Sequence, residues 1–212
     1  MYTTYLFDMD GTVLDTAQDL TDAVNYILDK YGYPACSRPA VVAATGNGAR
    51  ELMIGCLPQG EDTPQFDAIL QDFRTYYEAH SCIKTAPYDG VLPLLEQLKA
   101  EGCKVAIVSN KPHGAVQELA AKFFPGIPAF GERSGIARKP APDMVFAALD
   151  ALGAEKDGAV YIGDSEVDVA TVQNADMPLI AVSWGFRSRA LLESLGATQI
   201  ADTVADILQF PR

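Results

Sequence analysis

Four short apolar segments constrain the fold of this chain more than any other feature of its sequence. Each is followed by a small or acidic residue, and they span residues 5–7, 105–108, 159–162 and 179–182. Continuous apolar runs of this length are typical of strands buried on both faces, as in parallel sheets covered by helices. Helical patterns at 113–124 and 143–152 separate the later runs. We therefore predict an α/β fold, with a doubly wound parallel sheet as a Rossmann-like core.

The segment from residue 16 to residue 84 departs from this alternation, because it has helical patterns and no convincing strand. One apolar face repeats at Leu20, Val24 and Ile27, and a second extends from Phe66 to Tyr77. A wholly helical block after the first strand predicts an inserted helical cap domain. We expect the core to comprise residues 1–15 and 85–212 and the cap 16–84, with hinges near 14–17 and 83–88.

Two acidic clusters directly follow predicted strands, at the edge where parallel sheets bind ligands. Asp8 and Asp10 are two residues apart, so their side chains leave the strand on the same side. Asp164 and Asp168 are four apart, and one helical turn brings them together. Carboxylates that converge repel each other unless a cation lies between them, and oxygen ligands select a hard cation. We predict a Mg²⁺ site formed by these four residues. Helix capping by Asp164 is the open alternative for the second cluster.

The sequence also offers the groups that bind a phosphate. Ser109 and Asn110 end the second predicted strand and can supply a hydroxyl and a backbone N–H. Lys139 can supply the positive charge. Pro140 restricts the backbone of Lys139 to an extended form, which favours a fixed lysine.

These motifs resemble those of the haloacid dehalogenase-like phosphohydrolases and occur in that family's order. They are D-x-D-G-T-x-x-D-[ST] at 8–16, Ser-Asn at 109–110, Lys-Pro at 139–140 and G-D-S-x-x-D at 163–168. The resemblance covers essentially the whole chain and includes a helical cap after the first motif. Residues 45–49 and 182–187 are most similar to the phosphoglycolate phosphatase subgroup.

The resemblance implies a Mg²⁺-dependent phosphatase that hydrolyses a small phosphorylated metabolite, with phosphoglycolate the first choice, through an aspartyl-phosphate. Asp8 would be the nucleophile. Asp10 would be the general acid and then the base, with its backbone carbonyl on the metal. Asp164 would bind the metal, and Asp168 would act through a water or by orienting a neighbour. The remaining core residues would hold the transferring group or orient Asp8, and these are Thr12, Ser109, Asn110 and Lys139.

A glycine-bearing loop in the cap is a further candidate for substrate binding. Gly46 and Gly48 let backbone N–H groups approach a ligand, and Arg50 lies just beyond. We predict that Gly46, Asn47 and Gly48, together with Arg50, bind a carboxylate or other polar group of the substrate. The open alternative is a turn before a cap helix, with Arg50 in solvent.

Composition limits the partners of this chain. It has 16 Lys and Arg against 28 Asp and Glu, a net charge of −12, which argues against binding nucleic acid. No apolar stretch approaches the roughly 18 residues of a membrane-spanning helix. The four cysteines lie far apart in the sequence and form no C-x-x-C pair, which predicts free thiols in a reducing compartment. We predict a cytoplasmic monomer or homodimer with no membrane partner.

Other functions share parts of this pattern. A hydrolytic dehalogenase of the same superfamily usually lacks an acid at the position of Asp10. A phosphosugar mutase or another sugar-phosphate phosphatase would share the core motifs and differ in the cap. A phosphonate-cleaving relative needs a cap lysine, and only Lys30 and Lys84 are available. A catalytically inactive protein that binds a phosphate ligand is the alternative outside the enzymes.

Overall fold

The computed structural model describes residues 2–210. The strands are β1 (Thr4–Phe7), β2 (Leu14–Asp15), β3 (Ala86–Pro87), β4 (Lys104–Pro112), β5 (Ala129–Glu132), β6 (Ala159–Gly163), β7 (Leu179–Val182) and β8 (Ile200–Ala201). The α-helices are α1 (Ala17–Lys30), α2 (Arg38–Ala44), α3 (Gly48–Cys56), α4 (Phe66–His80), α5 (Val91–Ala100), α6 (His113–Phe123), α7 (Asp143–Leu152), α8 (Glu166–Ala175) and α9 (Arg189–Ser194). Two short 3₁₀ helices occupy Gly60–Asp62 and Val204–Gln209.

Six strands form one sheet in the order β5-β4-β1-β6-β7-β8, and every neighbouring pair is parallel. The four predicted strands are β1, β4, β6 and β7, so the predicted fold class is confirmed. The sequence did not indicate β5, in which buried and half-buried residues alternate, or β8, which has only two residues. Neither forms the continuous apolar run that identified the other four.

The central strands are buried on both faces. In β1, Tyr5 and Phe7 belong to a core cluster that includes residues of α5 and α6. Leu6 points to the opposite face, where it belongs to a cluster with residues of α7 and α8. Successive strand residues point to opposite sides of a sheet, so helices on both faces require apolar residues at every position.

The chain between β2 and β3 is helical and has an apolar core of its own. Residues of α1, α2, α3 and α4 form this core, including both apolar faces that the sequence predicted. β2 and β3 pair antiparallel, with Asp15 opposite Ala86, so the chain enters and leaves the helical cap at neighbouring points. The boundaries at 15/16 and 84/85 stay a prediction. Among residues 2–210, no helix combines the length and apolar character needed to cross a membrane.

A buried carboxylate holds this entry point together. Asp19 in the first turns of α1 is 3% exposed and accepts hydrogen bonds from the backbone N–H groups of Ile83, Lys84 and Thr85, at 2.8 to 2.9 Å. The first helix of the cap is thereby fixed to the segment through which the chain returns to the core.

Candidate active site

The site lies where the adjacent strands β4, β1 and β6 end. Asp8 directly follows β1, and Asp164 follows β6. The carboxylates of Asp8, Asp164 and Asp168 are all buried, and one oxygen from each lies within 4.8 Å of the others. Parallel strands present their carboxyl ends at one edge of the sheet, which is why residues distant in sequence meet here.

Lys139 contacts two of these three carboxylates and is only 2% exposed. Its Nζ is 2.8 Å from Oδ1 of Asp8, 2.8 Å from Oδ1 of Asp168 and 2.9 Å from the hydroxyl of Tyr161. Burial lowers the pKa of Lys139, but the carboxylates of Asp168 and Asp8 outweigh it and hold the pKa well above its usual value. Lys139 therefore stays charged.

Asn110 fixes the backbone of Lys139. Its Oδ1 accepts the N–H of Lys139 at 2.8 Å, and its Nδ2 donates to the carbonyl of the same residue at 2.8 Å. The sequence predicted that Asn110 contributes its backbone N–H to the substrate. The structure shows in addition that its side chain binds the backbone of Lys139. That side chain could not be assigned from the sequence, because its partner is 29 residues away.

The cluster contains three carboxylates but only one positively charged side chain, that of Lys139. Burial and the neighbouring Asp168 raise the pKa of Asp8 well above its usual range, and the same two causes raise that of Asp164 to about 7. Oδ1 of Asp8 already contacts Lys139 and the N–H of Met9, which leaves Oδ2 without a partner among residues 2–210. A buried set of oxygen donors with one lysine and three carboxylates fits a divalent cation.

Asp168 has no free carboxylate oxygen. Oδ1 contacts Lys139, and Oδ2 accepts hydrogen bonds from the backbone N–H groups of Asp164 and Ser165 and from the Ser165 hydroxyl. Ser165 in turn caps α8 by accepting the N–H of Asp168. This arrangement fits the predicted orienting role of Asp168 better than direct binding of a metal.

Thr12 and Ser109 occupy different surroundings within the site. Ser109 lines the cavity described below, and its Oγ accepts the N–H of Lys111 at 3.2 Å. Thr12 is 1% exposed, and its hydroxyl donates to Oδ1 of Asp164 at 3.2 Å. In this structure Thr12 thus positions a carboxylate, and its contact with a phosphoryl group stays a prediction.

Asp10 directs its carboxylate away from this cluster. Its Oδ1 accepts a hydrogen bond from the Thr16 hydroxyl at 2.5 Å and lies 3.0 Å from Nζ of Lys111. Asp10 and Asp8 both line the cavity, so Asp10 stands beside the nucleophile candidate without joining the metal cluster.

Lys111 is a site residue that the sequence interpretation missed. It is 6% exposed, and its Nζ is 2.5 Å from the hydroxyl of Tyr77 in the cap helix α4. Burial lowers the pKa of Lys111, but Asp10 and Tyr77 raise it more, so the net direction is upward. Burial also raises the pKa of Tyr77 to about 12, so the phenol stays protonated. A signal existed, because Lys111 directly follows Ser109 and Asn110.

A cavity lies between the cap and the core. Asp8, Ser109 and Lys139 line it from the core, and α1, α3 and α4 close it from the cap. The cap side is largely apolar. Its lining side chains are Leu20, Thr45, Ala49, Leu52, Phe73, Arg74 and Tyr77. A cavity covered by the cap over buried charges can limit the access of water to a bound substrate.

The structure brings only part of the predicted cap loop to the cavity, and substrate binding by this loop stays a prediction. Gly46 and Gly48 line the cavity, and the carbonyl of Gly46 accepts a hydrogen bond from Nδ2 of Asn110 at 3.0 Å. Asn47 is not among the lining residues. The prediction for Arg50 does not fit the structure, because its guanidinium turns away from the cavity and pairs with Glu61 and Asp67.

Arg187 joins the cap to the core. This buried guanidinium pairs with Glu166, with Nε 2.6 Å from Oε2, and donates to the carbonyls of Val42 and Thr45 in the cap. The sequence drew attention to residues 182–187 but gave Arg187 no role. Its partners in the cap lie more than 140 residues earlier in the chain, where no local pattern indicates them.

Comparison with known proteins agrees with this geometry. The family model for the haloacid dehalogenase-like hydrolases matches residues 5–182. A phosphoglycolate phosphatase of Rhodospirillum rubrum is 34% identical, over 98% of this chain and 91% of its own length. One from Rhodobacter capsulatus is 36% identical, over 88% and 86%.

Solved structures show the same similarity. The crystal structure of a proposed phosphoglycolate phosphatase from Lactobacillus delbrueckii subsp. bulgaricus superposes with a TM-score of 0.92 at 39% identity, and the match covers 97% of this chain and 96% of that one. The match of the family model extends from β1 to β7 and so includes the acidic clusters, Lys139 and the cap. The chain therefore belongs to the haloacid dehalogenase-like hydrolases.

Proposed function

We propose that this protein is a divalent-metal-dependent phosphatase that hydrolyses small phosphomonoesters, with phosphoglycolate as its substrate. The observation that carries the proposal is the contact of Lys139 with Asp8, inside a buried carboxylate cluster that opens onto the cavity under the cap. The names of the Rhodospirillum and Rhodobacter relatives, which match most of the chain, support phosphoglycolate as the substrate.

Mg²⁺ is the cation that the donor set favours. Asp8, Asp164 and the backbone carbonyl of Asp10 would hold it, and Asp168 would orient this set through Lys139 and the backbone at 164–165. When bound, the cation neutralises charge on the phosphoryl oxygens and reduces their repulsion of the attacking carboxylate.

In the first step, a carboxylate oxygen of Asp8 attacks phosphorus, and the bond from phosphorus to the ester oxygen breaks. Asp10 donates a proton to the departing oxygen. Lys139 keeps the Asp8 carboxylate in place and offsets charge that develops on the transferring group. Ser109 and Thr12 supply hydroxyl groups near this position.

In the second step, water attacks the phosphorus of the aspartyl-phosphate, and the bond to Asp8 breaks. Asp10, now ionised, accepts a proton from that water. Inorganic phosphate leaves, and both carboxylates return to their starting states. The closed cap limits the access of other nucleophiles to the intermediate.

An Asp8→Asn substitution tests the proposal. The amide is not a nucleophile, so we expect phosphate release from phosphoglycolate to fall by about a thousandfold or more, while circular dichroism stays unchanged. The matched control is Asp150→Asn, at an exposed carboxylate of α7, and it should behave like the native protein. After rapid quenching, the native protein should carry a phosphoryl group on the peptide that contains Asp8.

The same assay separates the alternatives. Activity that is lost in a chelator and returns with Mg²⁺ supports the metal assignment. Release of free phosphate without a bisphosphate activator distinguishes a phosphatase from a phosphosugar mutase. Turnover by the Asp8→Asn protein at the native rate would refute the covalent route, and no phosphate release from any of a panel of phosphomonoesters would indicate a binding protein.

A further inference from the structure

We propose that Lys111 and Arg74 form a subsite for the substrate's carboxylate and make the enzyme selective for phosphate esters of short hydroxy acids. This inference rests on the proposed function, since it assigns the part of the same cavity that reads the leaving group. It replaces the role that the sequence suggested for Arg50.

Lys111 has a donor available for a ligand. An ammonium group has three N–H donors. One is directed at Oδ1 of Asp10, 3.0 Å away, and one at the hydroxyl of Tyr77, 2.5 Å away. The third has no acceptor among residues 2–210, and Lys111 lines the cavity. A buried, charged donor of this kind is suited to an anionic ligand.

Arg74 brings a second cation to the cavity from the cap. It precedes Tyr77 by three residues on α4, so the two side chains lie on neighbouring turns of one helix face, and both line the cavity. Its Nε is buried and has no hydrogen-bond partner in the described chain. The ion pairs among residues 2–210 do not include Arg74. Since an unpaired buried donor destabilises a protein, an acceptor from a ligand would complete this guanidinium.

The order of groups in the cavity matches the order of groups in phosphoglycolate. Asp8 and Lys139 mark the position of phosphorus, and Asp10 marks the ester oxygen that it protonates. In phosphoglycolate a single carbon separates that oxygen from the carboxylate. Lys111 contacts Asp10 directly, so a carboxylate one carbon beyond the ester oxygen falls next to its Nζ.

Arg50 does not compete for this role. Its guanidinium pairs with Glu61 and Asp67 outside the cavity, so its charge is already neutralised. Arg50 therefore has acidic partners, whereas Arg74 lines the cavity and is in none of the ion pairs among residues 2–210. The two arginines form a matched pair for substitution.

The test compares phosphoglycolate with ethyl phosphate, which has a methyl group in place of the carboxylate. The measured quantity is the ratio of kcat/KM for the two esters. In the native protein this ratio should favour phosphoglycolate. We expect Arg74→Gln to lower the ratio by about 10- to 100-fold, mainly through a higher KM for phosphoglycolate, because a charged hydrogen bond to the bound substrate is lost.

Two further variants make the result specific. Arg50→Gln removes the same group from the neutralised cap arginine and should keep the native ratio. Arg74→Lys keeps the positive charge and should recover part of the ratio, which a merely structural role for Arg74 would not predict. Circular dichroism of each variant establishes that the fold is intact.

The outcomes separate this inference from the proposed function. Phosphate release with an unchanged ratio in Arg74→Gln overturns the carboxylate subsite and leaves the phosphatase intact. If the native protein has equal kcat/KM for the two esters, the carboxylate subsite is also overturned, and the proposed phosphatase activity is not. No release from either ester in the presence of Mg²⁺ overturns the proposed function itself.

Discussion

Replacing Asp164 with asparagine should stabilise the metal-free protein at alkaline pH. Burial and the charge of Asp168 raise the pKa of Asp164 from 3.8 to about 7. The folded state therefore binds a proton that the unfolded state releases, and stability declines as the pH rises from about 4 to 7. At about 1.4 kcal/mol per pH unit, ionised Asp164 lowers the free energy of unfolding by about 4 kcal/mol at pH 8.

The substitution removes this cost while largely preserving the local hydrogen bonds. The asparagine oxygen can accept the N–H of Phe186, and its amide can donate to the Thr12 hydroxyl, which at present donates to Asp164. Exchanging charged for neutral hydrogen bonds costs about 1 kcal/mol. The net gain at pH 8 is then about 3 kcal/mol, or about 6–12 °C in Tm for a chain of this size. At pH 5 the gain should fall to about 1 kcal/mol or less.

The assay is thermal unfolding of the native protein, Asp164→Asn and the control Asp150→Asn, in chelator and in Mg²⁺ at both pH values. Mg²⁺ should raise the Tm of the native protein, because a hundredfold excess over Kd adds about 3 kcal/mol to the free energy of unfolding, and the rise should be larger at pH 8 than at pH 5. Mg²⁺ should raise the Tm of Asp164→Asn only slightly, because this variant lacks one of the proposed metal ligands. If Asp164→Asn unfolds at a lower temperature than the native protein in chelator at pH 8, the electrostatic reasoning is wrong.

Two further substitutions test the contacts around Lys139 and the cap. Tyr161→Phe removes a hydroxyl that accepts from Lys139, and we expect urea unfolding to show a loss of about 1–3 kcal/mol together with a lower kcat. Glu166→Gln leaves the Arg187 guanidinium without its carboxylate, and we expect faster hydrogen exchange in residues 42–48 with little change in the core strands. Unchanged exchange in those residues would show that the Glu166 carboxylate does not support the contact of Arg187 with the cap.

The core of the site could be predicted from the sequence because its residues lie in or directly after the carboxyl-terminal parts of strands that appear as continuous apolar runs. A parallel sheet brings the ends of its central strands together, so Asp8, Ser109 and Asp164 had to be close once β1, β4 and β6 were recognised. No side-chain detail was needed for that inference. The helical cap was predictable for a similar reason, since its apolar faces repeat with the period of a helix.

The residues that were missed act through contacts that only the tertiary structure creates. In the sequence, Tyr161 is part of the apolar run that predicts a buried strand. In the structure, its hydroxyl accepts a hydrogen bond from Lys139. Arg74 reads as a solvent-exposed position of an amphipathic helix. The structure places Arg50 outside the cavity lining, because nearness to a glycine loop in sequence does not determine which side of α3 a residue occupies. Helix orientation about its own axis depends on packing, which the local sequence specifies poorly.

Asn110 has a consequence for how the enzyme could release its product. Two of its three hydrogen bonds hold the backbone of Lys139, and the third reaches the cap at Gly46. Movement of the cap away from the core would break the third bond and leave the other two in place. Lys139 would then stay in position beside Asp8 when the cap opens. The next substrate would bind to a rigid phosphate site, and only the cap would need to become ordered around it.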